Sequence, residues 1–136
     1  MTQRTLVLIK PDAVRRGLVG NVLSRFEAKG LTIVAMEHRH IDAAQAEAHY
    51  AEHVERDFYP PLRTFVTSGP LVALVLEGDE AIEVVRLVNG ATDGRKAAPG
   101  TIRGDLSLSN RENLVHGSDS PESAEREIAL WFPSLD

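Results

Sequence analysis

One histidine in this sequence stands where a fold of mixed strands and helices would place a reacting group. His116 follows the apolar pair Leu114-Val115 and enters a Gly-Ser-Asp turn. Strand ends and the loops after them are where such folds put their chemistry. The neighbours Asn113, Ser118 and Asp119 supply an amide, a hydroxyl and a carboxylate. An imidazole so placed can attack an electrophile through one ring nitrogen, provided the other is held. Glu127 is the candidate for holding it. It shares a helical face with Ala124 and Trp131, and a carboxylate on an apolar face is costly unless something pairs with it.

The other four histidines carry weaker signals. His38 and His40 fall on a strand, and His49 and His53 on or near an alanine-rich helix. The i, i+4 spacing of the last two suits a metal, but no H-E-x-x-H pattern accompanies it, so all four read as surface or satisfied histidines. With no cysteine, thiolate metal sites and disulfides are excluded.

Cations gather before His116. Arg86 is followed by Thr92, Arg95, Lys96 and the run Pro99-Gly100-Thr101-Ile102-Arg103-Gly104-Asp105. Arginines among glycines suit a forked clamp on phosphate oxygens. Neither G-x-x-x-x-G-K-[ST] nor G-x-G-x-x-G occurs, so neither common glycine cradle handles the phosphate.

These groups need elements to position them. Thr5 to Ile9 is a short apolar run and reads as a strand buried on both faces. Val19, Val22, Leu23 and Phe26 trace a helical stripe that Gly30 can end. Leu31 to Ile41 reads as a second strand. Asp42 with Gln45 predicts a capping box and a helix to about His53. Pro60-Pro61 opens a further helix that Ser68-Gly69-Pro70 stops, and Leu71 to Leu76 is a third strand. Asp79 is placed to cap a helix running to about Val88. Residues 90 to 112 show no apolar period, and a loop of that length is usually functional or disordered. Leu114 to His116 forms a fourth strand, and Ser120-Pro121 opens the last helix. By pattern alone the order fits a parallel doubly wound sheet or a split β-α-β sandwich; four strands in 136 residues favour the second.

The length suits one domain spanning 1–136, and 43% hydrophobic composition suffices for a core. A formal charge of -5 gives no general attraction to nucleic acid. No apolar run approaches the ~20 residues that span a bilayer, and the N-terminal one is too short for a signal core. A cytoplasmic setting is the expectation.

Asn113-Leu114-Val115-His116-Gly117-Ser118-Asp119-Ser120 resembles the active-site signature of nucleoside diphosphate kinases. Thr5 to Asp12, Arg15 to Gly20, Ser68 to Pro70, Pro99 to Asp105 and Glu122 to Phe132 resemble that family too, in order along almost the whole chain. The resemblance implies an α/β fold, a ferredoxin-like sandwich with a four-stranded antiparallel sheet. It implies transfer of the γ-phosphoryl group of a nucleoside triphosphate, mainly ATP, to a nucleoside diphosphate. The route would be ping-pong through phosphohistidine at His116. Mg²⁺ would ride on the nucleotide phosphates, with no side chain ligating it directly.

Carried over residue by residue, Glu127 would orient the imidazole with support from Ser118. Lys10 would reach the ribose hydroxyl and the transferred phosphate, with Tyr50 beside it. Phe58 would stack on the base. Arg56, Arg86, Thr92 and Arg103 would bind phosphates, and Asn113 the sugar. The assembly implied is a homohexamer, with a tetramer as the alternative. Ala13 stands where the family usually has Gly, Asp57 where Pro commonly precedes the stacking Phe, and Ser109 to Glu112 replaces a more usual run. None removes a group the mechanism needs. The chain also ends at Asp136, where longer relatives extend to grip neighbouring subunits. A histidine phosphorelay carrier is the competing reading, and a non-catalytic binding module of the same fold is a third. A carrier would need neither Phe58 nor the ribose contacts of Lys10 and Asn113.

Overall fold

The computed structural model describes residues 1–136. In chain order its elements are β1 (Thr2–Ile9), α1 (Pro11–Arg15), α2 (Val19–Lys29), β2 (Thr32–Arg39), α3 (Ala43–His49), α4 (Tyr59–Val66), β3 (Leu71–Asp79), α5 (Ala81–Asn89), α6 (Ile102–Leu106), β4 (Val115–Gly117) and α7 (Pro121–Trp131).

The continuous apolar run of β1 has a simple cause: the sheet is covered on both faces. Successive strand side chains point to opposite sides. Val7 and Ile9 enter one core with Val72, Leu74 and Leu76 of β3, beneath Val22 and Phe26 of α2 and Val85 of α5. Leu6 and Leu8 enter the other with Leu71, Ala73 and Val75, against Ala46 of α3, Val66 of α4 and Trp131 of α7. The sheet order is β2-β3-β1-β4 and every pairing is antiparallel, which decides against the doubly wound alternative. This is the ferredoxin-like sandwich.

Most element signals act as their chemistry predicts. Gly30 ends α2 with φ 105, and the Ser120 side chain accepts from the Ser123 N–H at the start of α7. Four expectations shift. The helix after Asp42 ends at His49 rather than His53. Its capping box is half made: Asp42 accepts from the Gln45 N–H, while the Asp42 N–H makes no return bond to the Gln45 side chain. Asp79 caps nothing, because it closes β3 and pairs with the amino group of Met1; α5 starts at Ala81, and its N-cap residue Glu80 has φ 52 and makes no side-chain cap. The long loop contains α6, whose first turn is held by the Thr101 hydroxyl accepting from the Gly104 N–H.

The site follows from the register. β4 pairs His116 with Leu8 and Val115 with Ile9, so His116 lies beside the end of β1. Lys10 is the next residue of that chain, and its N–H donates to the Leu114 carbonyl at 2.8 Å. The nucleophile candidate and the first cation are therefore fixed by adjacent central strands.

Candidate active site

A cavity of about 460 Å³ opens over the ends of β1 and β4. Lys10, Tyr50, Phe58, Arg86, Thr92, Arg103, Asn113, His116 and Glu127 all line it. Ser118 lies just behind, fully buried. Arg56 does not line the cavity; it sits in the exposed turn before Phe58, where its N–H donates to the His53 carbonyl at 2.9 Å.

Glu127 projects from α7 and is 5% exposed. One carboxylate oxygen, Oε1, lies 3.0 Å from His116 Nε2 and accepts from the Ser118 hydroxyl at 2.7 Å. That hydroxyl in turn accepts from the Leu6 N–H of β1 at 3.1 Å. Burial alone would push the Glu127 carboxyl up, but the bond from His116, that from Ser118 and the charge of Arg126 outweigh it and hold it below the usual carboxylate range. An anionic acceptor at Nε2 requires the proton on that nitrogen, which leaves Nδ1 with a free lone pair.

The cations are held differently from one another. Lys10 Nζ donates to Asn113 Oδ1 at 2.9 Å and is buried; burial, with Arg103 nearby, lowers its pKa to about 8. Arg103 donates to three main-chain carbonyls, those of Gly90 at 2.8 Å, Asn113 at 3.1 Å and Val115 at 2.6 Å. Burial and then Arg86 lower its pKa to about 10, so it stays charged at neutral pH. Two of its five N–H donors remain for a ligand. Arg86 on α5 is exposed and makes no side-chain hydrogen bond or ion pair. Phe58 sits at the mouth, half exposed, with the His53 ring 5.6 Å away. The Tyr50 hydroxyl is buried without a partner, and burial, then Glu127, push its pKa up.

Comparison with known proteins now decides the family. The nucleoside diphosphate kinase family model matches residues 3–136. A nucleoside diphosphate kinase of Nocardioides sp. is 81% identical over 135 residues, which is 99% of this chain and all of the relative. One from Mycobacteroides abscessus is 65% identical over 99% of this chain and all of its own. Among solved structures, a halophilic nucleoside diphosphate kinase from Halobacterium salinarum in complex with CDP superposes with a TM-score of 0.94 at 48% identity, covering 97% of this chain and 88% of that one. A family protein from Babesia bovis superposes at 0.93 with 42% identity, over 98% and 90% of the two chains.

The chain belongs to the nucleoside diphosphate kinase family.

It is accordingly a phosphotransferase, and its geometry adds residues to those that sequence singled out. The buried His49 packs its ring 4.7 Å from that of His116, nearly perpendicular, and its Nδ1 accepts from Trp131 Nε1–H at 3.0 Å. Burial, with His116 and Arg126 nearby, takes its pKa well below the ordinary histidine value. Arg126 lines the cavity from α7, donates to the carbonyls of Ala48 and His49, and lies 3.7 Å from the second oxygen of Glu127. Asn89, almost fully buried, lines the wall behind Gly117. In the sequence His49 is marked only by its i, i+4 spacing to His53, and the structure instead turns it inward beside the buried Ala46. Nothing local marks Arg126 or Asn89.

His49, His116 and Glu127 place ligand atoms within 4.8 Å of one another, the spacing of a metal site. The hydrogen bonds argue against one. His49 uses its Nδ1 lone pair on Trp131 and keeps its proton on Nε2, while His116 directs its Nε2 proton at Glu127. Two nitrogens and one carboxylate also suit Mg²⁺ poorly, which prefers oxygen ligands.

Proposed function

We propose that His116 takes the γ-phosphoryl group of a nucleoside triphosphate, mainly ATP, and passes it to a nucleoside diphosphate. The observation that carries this reading is the imidazole itself: Nε2 bound to Glu127 at 3.0 Å, Nδ1 free, in a cavity lined by the cations Lys10, Arg86, Arg103, Arg111 and Arg126. In the first half-reaction the Nδ1 lone pair forms the N–P bond. The bond between the γ-phosphorus and the bridging oxygen breaks, and its electrons leave on the diphosphate. Positive charge develops on the imidazole, and the Glu127 carboxylate is already in place to stabilise it. The second half-reaction reverses the path, with a terminal oxygen of the acceptor diphosphate attacking phosphorus.

Phosphoryl transfer depends on positioning and charge neutralisation. Lys10 and Asn113, joined by their hydrogen bond, would contact the transferred phosphate and the sugar. Arg86, Thr92 and the spare donors of Arg103 would hold the remaining phosphates, and the unpartnered Tyr50 hydroxyl would sit beside Lys10. Phe58 would stack on the base, worth ~1–3 kcal/mol whichever base it is, so broad base tolerance is expected. Arg56 would act only if its turn folded inward. The donors present fit a Mg²⁺ held by the nucleotide phosphates rather than by side chains. Mg²⁺ would supply further charge neutralisation there. CDP in the Halobacterium salinarum protein supports a nucleoside diphosphate as ligand.

Residues 1–136 would act as one domain in the cytoplasm; no helix is long and apolar enough to cross a membrane. β2 is an edge strand carrying the part-exposed Ile33, Val34 and Ala35 and the exposed Met36, which favours self-assembly, first as a homohexamer and otherwise as a tetramer. No specific nucleic acid partner is implied.

Incubation with γ-labelled ATP tests the reading. The protein should acquire an acid-labile, base-stable label that added nucleoside diphosphate discharges. Label retained in His116→Ala would refute it.

A further inference from the structure

Two residues other than glycine have positive φ, and one of them, Leu114, lies two positions before His116. Its φ is 75, and across it the Val115 N–H donates to the Asn113 carbonyl at 2.9 Å. That is the positive-φ form of the γ-turn, which is rare and strained, and leucine gains nothing from it. Such a conformation persists only where the surroundings over-determine it.

Here they do so from both sides of one residue. The Leu114 carbonyl accepts from the Lys10 N–H at 2.8 Å. The Leu114 N–H donates to Asp12 Oδ2 at 3.1 Å. Asp12 is 4% exposed, its other oxygen has no partner, and no arginine or histidine bonds it. Lys10 and the N–H groups of Asp12 and Ala13 lie near the carboxylate, yet burial dominates and raises its pKa, so a buried carboxylate here is a costly way to fill space. What the turn sets is substantial. Asn113 on one side meets Lys10 Nζ, the Val115 carbonyl on the other accepts from Arg103, and His116 follows.

We propose that Asp12 is a positioning residue for phosphoryl transfer: its carboxylate holds the strained turn at Leu114 and so sets His116 and Asn113 against the bound nucleotide. With Asp12 removed, Leu114 is free to relax to negative φ, breaking the Val115–Asn113 bond and turning the Asn113 side chain away from Lys10. The role needs an acceptor at Oδ2 and not a charge. The inference rests on His116 as the phosphorylated residue.

The test is the single-turnover rate of His116 phosphorylation at saturating ATP, which a loss of nucleotide affinity alone does not lower. Asp12→Ala should slow it about tenfold or more, the scale expected of a small misplacement of reacting groups. Asp12→Asn, which keeps an oxygen in place, should stay within about threefold of the parent. Should Asp12→Ala not fold, Asp12→Ser replaces it, since its hydroxyl is one bond too short to reach. A folded Ala or Ser variant at the parent rate would overturn the proposal, as would an Asn variant slowed as far as they are. Failure of the parent protein to take label would instead strike the assignment of His116.

Discussion

At the scale of single residues, the site works by denying ordinary behaviour to ordinary groups. Glu127 stays anionic although buried, because His116, Ser118 and Arg126 offset the desolvation of its charge. Lys10 shows the opposite balance: burial and Arg103 win over Asp12, and its pKa falls to about 8. A free-enzyme group that must be charged to meet phosphate should appear in kcat/KM. That ratio for nucleotide is expected to decline as pH rises through about 8. A flat kcat/KM from pH 7 to 9.5 would contradict it. The same shift has a stability consequence of opposite sense. Below about 8 Lys10 is charged in both folded and unfolded chains, and its burial penalty is felt in full. Between about 8 and the ordinary lysine value only the unfolded chain keeps the proton, so Lys10's contribution to stability improves as pH rises.

His49 gives a second linkage. Its folded pKa lies well below 6.5, so the folded chain keeps it neutral while the unfolded chain takes up a proton. Stability should fall as pH drops through about 6.5 and continue falling towards the folded value. Urea midpoints from pH 7 to 5 should show this slope, and it should be weaker in His49→Gln. Equal slopes in the two proteins would count against a neutral His49.

At the scale of elements, the contrast between what sequence displayed and what it hid is one of reach. Glu127 was readable because its neighbours Ala124 and Trp131 lie on the same helix and mark its face. His49 was not, because its tautomer is set by Trp131, distant in sequence. Asp12 carries no local sign of a partner, since that partner is a main-chain N–H of Leu114. α6 was missed because five residues carry only one apolar pair, Ile102 and Leu106, too short to show a period; that pair packs into the core while a hydroxyl cap and close backbone packing hold the first turn. Gly104 shows how close that packing is: a Cβ there would lie 1.9 Å from the Ala98 carbonyl oxygen. Gly104→Ala should therefore displace the loop bearing Arg103 and Thr92 and lower kcat/KM by about tenfold or more, with the sheet intact by circular dichroism. Parent-like kcat/KM would show that the loop can shift without harm to the site.

At the scale of the molecule, antiparallel register brings distant blocks of sequence to one cavity. β1 delivers Lys10, β4 delivers His116, and α7 delivers Glu127. The apolar runs and the final capping signals made these elements legible. Strand order was not, because alternating β and α patterns fit two topologies until pairing is seen. The exposed edge of β2 bears on assembly. Met36 is 53% exposed there, and Met36→Asp would place a charge in any contact built along that edge. Light scattering should show a smaller species for this variant than for the parent. Identical masses for the two would remove β2 from the assembly contact.

Phosphate is expected to pass through one particular nitrogen of one histidine, Nδ1 of His116. ³¹P NMR of the enzyme phosphorylated by ATP, read against Nδ1- and Nε2-phosphoimidazole standards, tests it most directly. The hydrogen bond from His116 to Glu127 predicts a single Nδ1-phosphohistidine signal that disappears on adding nucleoside diphosphate. An Nε2-phosphohistidine signal, or a signal dischargeable by nucleoside diphosphate that still forms in His116→Ala, would contradict this route.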